Sequence, residues 1–190
     1  EVVVVGGFML AASRAREALE LIDTLPATPR RRRLRIAALC EMGRLHWQAA
    51  SPRETFTLKG ALESVAAARS LLENDDPPEL RAQVAGLLAS ILYDIGDLPS
   101  LERALEELTD ASRSLLASGD AVSSARLLND QAAIYVRLGD VVRASHLLEE
   151  SRRIFERIAS QSSEAKALVE LAETHHLLAR LPLHVAARPG

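Results

Sequence analysis

The chain has 190 residues and a formal net charge of −3, with 23 Lys and Arg against 26 Asp and Glu. This near balance excludes a global positive field that would draw the protein to nucleic acid or to an anionic membrane. Apolar residues make up 48% of the sequence and aromatic residues only 3%, which favours close-packed helices rich in Ala and Leu. The single cysteine, Cys40, excludes an internal disulfide and a cysteine-based zinc site. We interpret it as a small apolar core residue, compatible with a cytoplasmic location.

The chain begins with a nearly uncharged run over residues 2–12 that is too short to span a bilayer and has no basic flank of the kind a signal peptide needs. We expect it to lead into a first helix over residues 7–25, ended by the prolines that follow. The alternative is a strand leading into a phosphate loop at Gly6 and Gly7. We favour the helix because no third glycine and no Gly-Lys-Ser/Thr follows. Its expected buried side is Met9, Ala11, Ala15, Ala18, Leu19 and Ile22.

Arg30 to Arg33 and Arg35 form the basic cluster of the sequence, at the start of a second predicted helix. One interpretation is a solvated helix start, since exposed positive charge there opposes the helix dipole at little cost. The other is a contact for an acidic partner or a phosphate group. We favour the solvated helix start.

Apolar residues then recur at helical spacing in three predicted hairpins, residues 30–74, 78–118 and 121–160. The segment from Ser51 to Thr55 breaks the first of them. Gly-Asp pairs mark three further turns, because Gly supplies a left-handed turn and Asp accepts from the free amides of the next helix. These pairs are Gly96-Asp97, Gly119-Asp120 and Gly139-Asp140. A last helix over residues 163–181 is expected to end at Pro182.

The third hairpin resembles a tetratricopeptide repeat (TPR), with the bulky, small, aromatic, Gly, Ala and Leu places of that pattern filled in order by Leu128, Ala132, Tyr135, Gly139, Ala144 and Leu148. Ser151 stands where the pattern has a second small Ala. The small places of successive repeats, Gly43, Ala89, Ala132 and Thr174, follow one another at 46, 43 and 42 residues. This period exceeds the basic one of about 34. It is similar to the long repeats of bacterial signalling regulators and of kinase or NTPase fusions.

The resemblance implies an all-α, right-handed α-solenoid of stacked antiparallel helix hairpins with about eight helices. We expect residues 1–190 to form a single domain cut from a longer array, with residues 7–25 as a half repeat and residues 163–181 as the first helix of a further repeat. The resemblance also implies a concave groove, lined by the first helix of each pair, that binds peptides. Its groove-facing places correspond to Arg44, Trp47, Gln48, Gln83, Ser90, Tyr93, Asp94, Arg126, Asn129, Ala133, Arg137 and His175. The alternative for Trp47 and Tyr93 is that they only fill gaps between helices.

The sequence offers little sign of catalysis, and we predict neither an enzyme nor a cofactor. His175 and His176 are adjacent and so point to different sides of a helix, unlike the four-residue spacing of helical zinc sites. Cys40 and His46 are six residues apart on one helix, too far to act as nucleophile and base. We therefore expect no metal and no catalytic residue.

Three functions remain open at this point. The leading one is a scaffold or sensor that binds a protein or peptide, or another domain of the same chain, within a larger bacterial signalling protein. The second is a regulatory domain that senses a small-molecule effector, for which a closed pocket is expected rather than an open groove. The third is self-association through terminal repeats, since the end of an array exposes apolar surface. We expect no direct contact with nucleic acid or a membrane.

Overall fold

The computed structural model describes residues 2–49, 55–161 and 165–186, and describes side chains over residues 10–49, 58–160 and 169–181. These ranges hold eight helices and no strand, which confirms the predicted all-α class. The helices are α1 (Val2–Thr24), α2 (Pro29–Ala49), α3 (Thr55–Ser70), α4 (Pro78–Ile95), α5 (Leu98–Ser118), α6 (Ala121–Leu138), α7 (Val141–Gln161) and α8 (Ala165–Ala186). The predicted break around Pro52 lies outside the described residues.

Residues 1–95 form one compact unit, built from α1 to α4. Within it α2 packs against α1, α3 and α4, and α3 packs against α4. Gly43 lets α2 approach α3 closely, because a Cβ atom there would overlap Val65 Cγ2 and lie 3.2 Å from the Ala61 carbonyl oxygen. The core of this unit is aliphatic and includes Ile36, Ala61, Val65, Ala68, Val84, Leu88, Ile91 and Leu92.

Residues 96–190 form a second compact unit, built from α5 to α8. Here α6 packs against α5, α7 and α8, and α7 packs against α8. One buried cluster joins Ala132, Ala144, Leu148 and Leu181. Ser151, which replaces the second small Ala of the repeat pattern, is fully buried and donates to the Ala125 carbonyl at 3.0 Å. The predicted grouping of the whole chain into a single domain of repeats remains a prediction.

The three Gly-Asp turns form as predicted from the sequence. Gly96, Gly119 and Gly139 have φ of 75°, 90° and 86°, the left-handed region that other residues avoid. At the last turn the Asp140 amide donates to the Tyr135 carbonyl at 2.9 Å, and the Asp140 carboxylate accepts from the Arg143 amide at 3.0 Å. Each turn therefore ends one helix and begins the next.

Two predictions about helix ends and faces need correction. The helix α8 continues through Pro182 to Ala186, so Pro182 does not end it. Proline in a helix removes one hydrogen bond and crowds the preceding turn. Where neighbouring helices hold the helix in place, proline more often kinks it than ends it. The Val-rich run lies within α1 itself, which begins at Val2 rather than at the predicted residue 7. Among the described side chains of α1, Ala12 is buried, while Ala11, Ala15, Ala18, Leu19 and Ile22 are half-buried. The predicted Met9 side chain lies outside the described residues.

Four of the five arginines of the basic cluster are paired within the chain, which differs from the solvated helix start that the sequence favoured; Arg30 is exposed. Arg32 donates to Asp76 Oδ2 at 2.9 Å and to the Leu71 carbonyl at 3.2 Å, and Arg33 Nε donates to Asp76 Oδ1 at 2.9 Å. Arg31 and Arg35 both pair with Asp23. These contacts join the start of α2 to the end of α1 and to the segment between α3 and α4.

None of the described helices is both long enough and apolar enough to cross a membrane.

Candidate functional site

In each unit the even-numbered helices touch one another, and these helices carry every groove-facing residue predicted from the sequence. In the first unit α2 contacts α4, and in the second α6 contacts α8. The small places Gly43, Ala89, Ala132 and Thr174 are all buried on these helices. We name the two surfaces the α2–α4 face, with Trp47, Tyr93 and Asp94, and the α6–α8 face, with Arg126, Asn129, Asp130, Glu170 and Thr174.

The α2–α4 face is centred on the single tryptophan of the chain. Trp47 Nε1 on α2 donates to Asp94 Oδ2 on α4 at 2.6 Å, a charge-assisted hydrogen bond between the two helices. Trp47 and Tyr93 are half-buried and Asp94 is exposed. An amphipathic aromatic held in place beside an exposed carboxylate is suited to contact a peptide.

Other residues predicted for the first unit do not join this contact. Arg44 is exposed and lies 3.8 Å from Glu41 of its own helix. The Ser90 hydroxyl donates to the Gly86 carbonyl one turn earlier at 2.9 Å. Gln48 and Gln83 are exposed. The structure thus brings together Trp47 and Asp94, with Tyr93 adjacent to Asp94 in sequence.

On the α6–α8 face two polar contacts join the helices. Arg126 Nε pairs with Glu170 Oε1 at 2.9 Å, and Asn129 Nδ2 donates to Thr174 Oγ1 at 2.9 Å. Asn129 is only 8% exposed and Thr174 is fully buried. The carboxylate of Glu170 is also largely buried, whereas half of the Arg126 side chain faces solvent.

The hydrogen-bonding pattern fixes the orientation of the Asn129 amide. The Thr174 hydroxyl donates its proton to the Glu170 carbonyl at 2.8 Å, so it can only accept from Asn129. Asn129 therefore directs Nδ2 to Thr174 and Oδ1 away from it. Within the described part of the chain, Oδ1 finds no donor and is closed off from water. A buried carbonyl oxygen without a donor is uncommon and costly.

Asp130 follows Asn129 on α6, and its carboxyl has an altered pKa. Although the residue as a whole is exposed, protein atoms around its carboxyl displace water, and this partial burial raises its pKa to about 6. The positive charge of Arg126 lowers the pKa and the negative charge of Glu170 raises it further. Perturbed carboxyls of this kind are frequent at binding sites.

The sequence interpretation included Arg126 and Asn129 but missed Asp130 and Glu170. The spacing of these residues could have indicated them. Arg126 and Asp130 are four residues apart on α6, and Glu170 and Thr174 are four residues apart on α8, so each pair lies on one side of its helix. His175 follows Thr174 and is exposed, and Ala133 is half-buried. Arg137 lies with its guanidinium against Gly96, in the space that a Cβ atom there would fill.

A cleft of about 530 Å³ lies elsewhere in the first unit, where α1 turns into α2. Its lining includes Thr28, Arg31, Arg32, Arg35 and Glu73. None of the predicted groove residues lines it, and its arginines are the ones paired with Asp23 and Asp76.

Cys40 is half-buried on α2, and burial raises the pKa of its thiol to about 11. The thiol is therefore protonated at neutral pH and is a poor nucleophile. In the described ranges no three His, Cys, Asp or Glu side chains gather as a metal site would require.

Comparison with known proteins establishes the fold class of the chain but no family. No family model matches the sequence, and no curated protein matches it. The crystal structure of BtubC (BKLC) from P. vanneervenii is similar, with a TM-score of 0.71 and 17% sequence identity, over 95% of this chain and 67% of that chain. The de novo designed helical repeat protein DHR64 has a TM-score of 0.39 at 24% identity, over 94% of this chain and 83% of the design, too low a score to support an argument. The predicted helical-repeat fold of the α-solenoid class is thus confirmed.

Proposed function

We propose that this chain is a non-catalytic interaction module of the tetratricopeptide type, with long repeats, that binds an extended peptide or a segment of a partner protein along its even-numbered helices. The observation that supports this proposal most is the pairing of these helices in both units through polar side chains at the predicted groove places. Trp47 bonds to Asp94 in one unit, and Arg126 and Asn129 bond to α8 in the other.

Each face offers a peptide a different kind of contact. The α2–α4 face offers the Trp47 indole beside the Asp94 carboxylate, with the half-buried Tyr93 preceding Asp94 on α4. The α6–α8 face offers the exposed charged residues Arg126 and Asp130. Aromatic anchors supply much of the affinity at protein interfaces, and polar groups supply orientation. We also propose that the chain is part of a bacterial signalling protein and that it functions in the cytoplasm.

A small-molecule sensor is less well supported. The cleft at the start of α2 lies away from the predicted groove residues, and its arginines are already engaged by Asp23 and Asp76. Self-association would use exposed apolar side chains such as Leu10 and Leu21 on α1, which are 58% and 68% exposed. Single exposed leucines are common on soluble helices and do not point to a partner.

Selection of random displayed peptides on the purified chain tests the proposal. Selected peptides are then titrated against the chain while the emission of Trp47 is recorded. We expect saturable changes in emission, because a ligand on the α2–α4 face alters the Trp47–Asp94 hydrogen bond and the water around the indole. The Tyr93→Ala variant should lower affinity by about tenfold, the loss typical of a partly buried aromatic contact.

The matched control is Lys59→Ala on α3, whose side chain is 71% exposed and lies on an odd-numbered helix. This variant should bind selected peptides as the parent does. Failure to enrich any peptide on a chain with its full helical circular dichroism would reject the proposal. So would equal affinities of the parent and Tyr93→Ala for peptides that change Trp47 emission.

A further inference from the structure

We propose that the peptide bound at the α2–α4 face places a basic side chain, a lysine ammonium or an arginine guanidinium, against Trp47 and Asp94. This inference rests on the proposed function and names the chemistry that the partner presents at this face. The observation that supports it is an aromatic ring and an exposed carboxylate joined by a hydrogen bond of 2.6 Å, with no cation paired to that carboxylate among the described residues.

The hydrogen bond from the indole leaves most of the Asp94 carboxylate open. Trp47 Nε1 donates to Oδ2, and a carboxylate has two oxygens with about four acceptor positions in total. The indole N–H is a neutral donor, so the negative charge of Asp94 is not cancelled by this bond. Because Asp94 is exposed on α4, its charge is available to a ligand at the surface.

The ion pairs of the first unit involve acids other than Asp94. Arg44 lies one turn before Trp47 on α2, and its guanidinium is 3.8 Å from Glu41 of the same helix. The arginines at the start of α2 pair with acids at the end of α1 and between α3 and α4. Asp94 therefore keeps its negative charge without a counter-ion in the part of the chain that the structure describes.

The second unit contains the same combination of groups with the cation in place. At the turn between α6 and α7, the Arg143 guanidinium lies over the Tyr135 ring, 5.6 Å from its centroid. The same guanidinium pairs through Nε with Asp140 Oδ2 at 3.1 Å. One cation thus contacts an aromatic ring and a carboxylate together. The α2–α4 face presents the ring and the carboxylate, and the partner supplies the cation.

The indole of Trp47 is well suited to this contact. Among aromatic side chains tryptophan attracts a cation most strongly, at distances up to about 6 Å from the ring centroid. Donation of the indole N–H to a carboxylate makes the ring more negative, because hydrogen-bonded groups polarise one another. Trp47 is half-buried, so part of its side chain stays open to solvent. A single cation beside Trp47 and Asp94 is attracted by both.

This combination discriminates between ligand side chains by their charge. An acidic side chain is repelled by Asp94, and an aliphatic one contacts the indole but removes water from the carboxylate without replacing it. A basic side chain lays its methylene groups on the indole and brings its charge to Asp94. We therefore expect basic side chains to bind most tightly and acidic ones least.

Nuclear magnetic resonance of the isotope-labelled full chain tests the inference through the indole N–H signal of Trp47, which is unique because the chain has one tryptophan. Three blocked tripeptides, with lysine, norleucine or glutamate between two glycines, are titrated at neutral pH and constant ionic strength. We expect the lysine peptide to shift this signal in a saturable way. The norleucine peptide should bind about tenfold more weakly, and the glutamate peptide should leave the signal unchanged.

Asp94→Asn removes the charge and keeps an oxygen that can accept from the indole. It should weaken binding of the lysine peptide by about tenfold, the effect of losing one favourable charge pair, so that the lysine and norleucine peptides bind alike. Glu63→Gln is the matched control, since it neutralises an acid of α3 in the same unit that is 68% exposed. It should leave the lysine titration as in the parent. Circular dichroism checks that both variants are folded.

Equal affinities of the parent for lysine and norleucine, no shift from lysine, or an unchanged lysine titration in Asp94→Asn would each overturn the inference. The comparison of lysine with norleucine uses the parent chain alone, so it decides the matter even where a variant does not fold. Displayed peptides that change Trp47 emission without a preference for lysine or arginine would reject the basic side chain and leave the interaction module standing. If peptide selection fails entirely, the module is rejected as well.

Discussion

Asp76 organises the contacts of the basic cluster. Its side chain is fully buried and accepts from Arg32, from Arg33 and from the Glu73 amide, each at 2.9 Å. Burial by itself raises the pKa of this carboxyl, but the Glu73 amide and the two guanidinium groups outweigh burial, and the pKa falls below its ordinary value. The ionised form is therefore the one that the fold stabilises.

Removing this charge should destabilise the first unit at neutral pH. Asp76→Asn keeps the shape but leaves Arg32 and Arg33 without their shared carboxylate, and we expect a loss of about 2–3 kcal/mol in the free energy of unfolding. Because the folded pKa is lowered, this contribution is complete above the unfolded pKa of about 4 and disappears as pH falls through the folded value. Urea unfolding of both proteins at about pH 7 and about pH 3 measures it.

Asp75→Asn is the control, since the Asp75 side chain is 66% exposed and lies 3.4 Å from the same Arg32. Its effect should be small at both pH values because exposed ion pairs contribute little. A loss in Asp76→Asn that does not shrink in acid would show that shape, rather than charge, explains the effect.

The same cluster shows why part of the structure could not be predicted from the sequence. The Gly-Asp turns depend on neighbouring residues alone, so their signals are complete in the chain. Arg32 and Asp76 are separated by 44 residues, and nothing local indicates that they meet. For the same reason Arg126 was predicted as a groove-facing residue, whereas its partner Glu170, on another helix, was not.

At the scale of helices, the predictions that held are those of periodicity. All four small places, Gly43, Ala89, Ala132 and Thr174, are buried, since close helix packing admits little else. The end of α8 was predicted less well, because whether a proline stops or merely bends a helix depends on the packing around it. Helix faces follow from pattern, whereas the end of α8 depends on packing that the local sequence does not encode.

Gly43 gives a test of the close approach between α2 and α3. Alanine in the middle of a helix ordinarily stabilises by about 1 kcal/mol relative to glycine. Here the added Cβ would overlap Val65 Cγ2 and press on the Ala61 carbonyl oxygen at 3.2 Å. We expect Gly43→Ala to destabilise by about 1–3 kcal/mol, the usual cost of overpacking, as measured by thermal or urea unfolding.

A second substitution shows whether Val65 is the cause. In a Val65→Ala background the overlapping methyl group is gone, so adding Gly43→Ala should cost markedly less than it does in the parent. A coupling energy between the two sites is the expected result of the double-mutant cycle. Additive effects would mean that the backbone near Ala61, and not Val65, limits the approach.

At the scale of the whole molecule, the two compact units each have a core of their own. In helical repeat proteins stability is approximately a sum over local units and their nearest neighbours. A destabilising substitution in one unit therefore need not unfold the other unit. The single tryptophan lies in the first unit, so its emission reports that unit, whereas circular dichroism reports all the helices.

Ala132→Glu should separate these two signals. Ala132 is 1% exposed and packs with Ala144, Leu148 and Leu181, so a carboxylate there would be buried without a partner. We expect the variant to lose the helical signal of the second unit at low urea while Trp47 emission keeps the midpoint of the parent. Arg152→Glu is the comparison. Arg152 is half-buried and paired with Glu149 and Glu156, so its replacement by Glu sets three carboxylates together at the surface. That variant should shift the circular dichroism midpoint slightly and remove no helix. Coincident loss of both signals in Ala132→Glu would show instead that the eight helices unfold as one cooperative body.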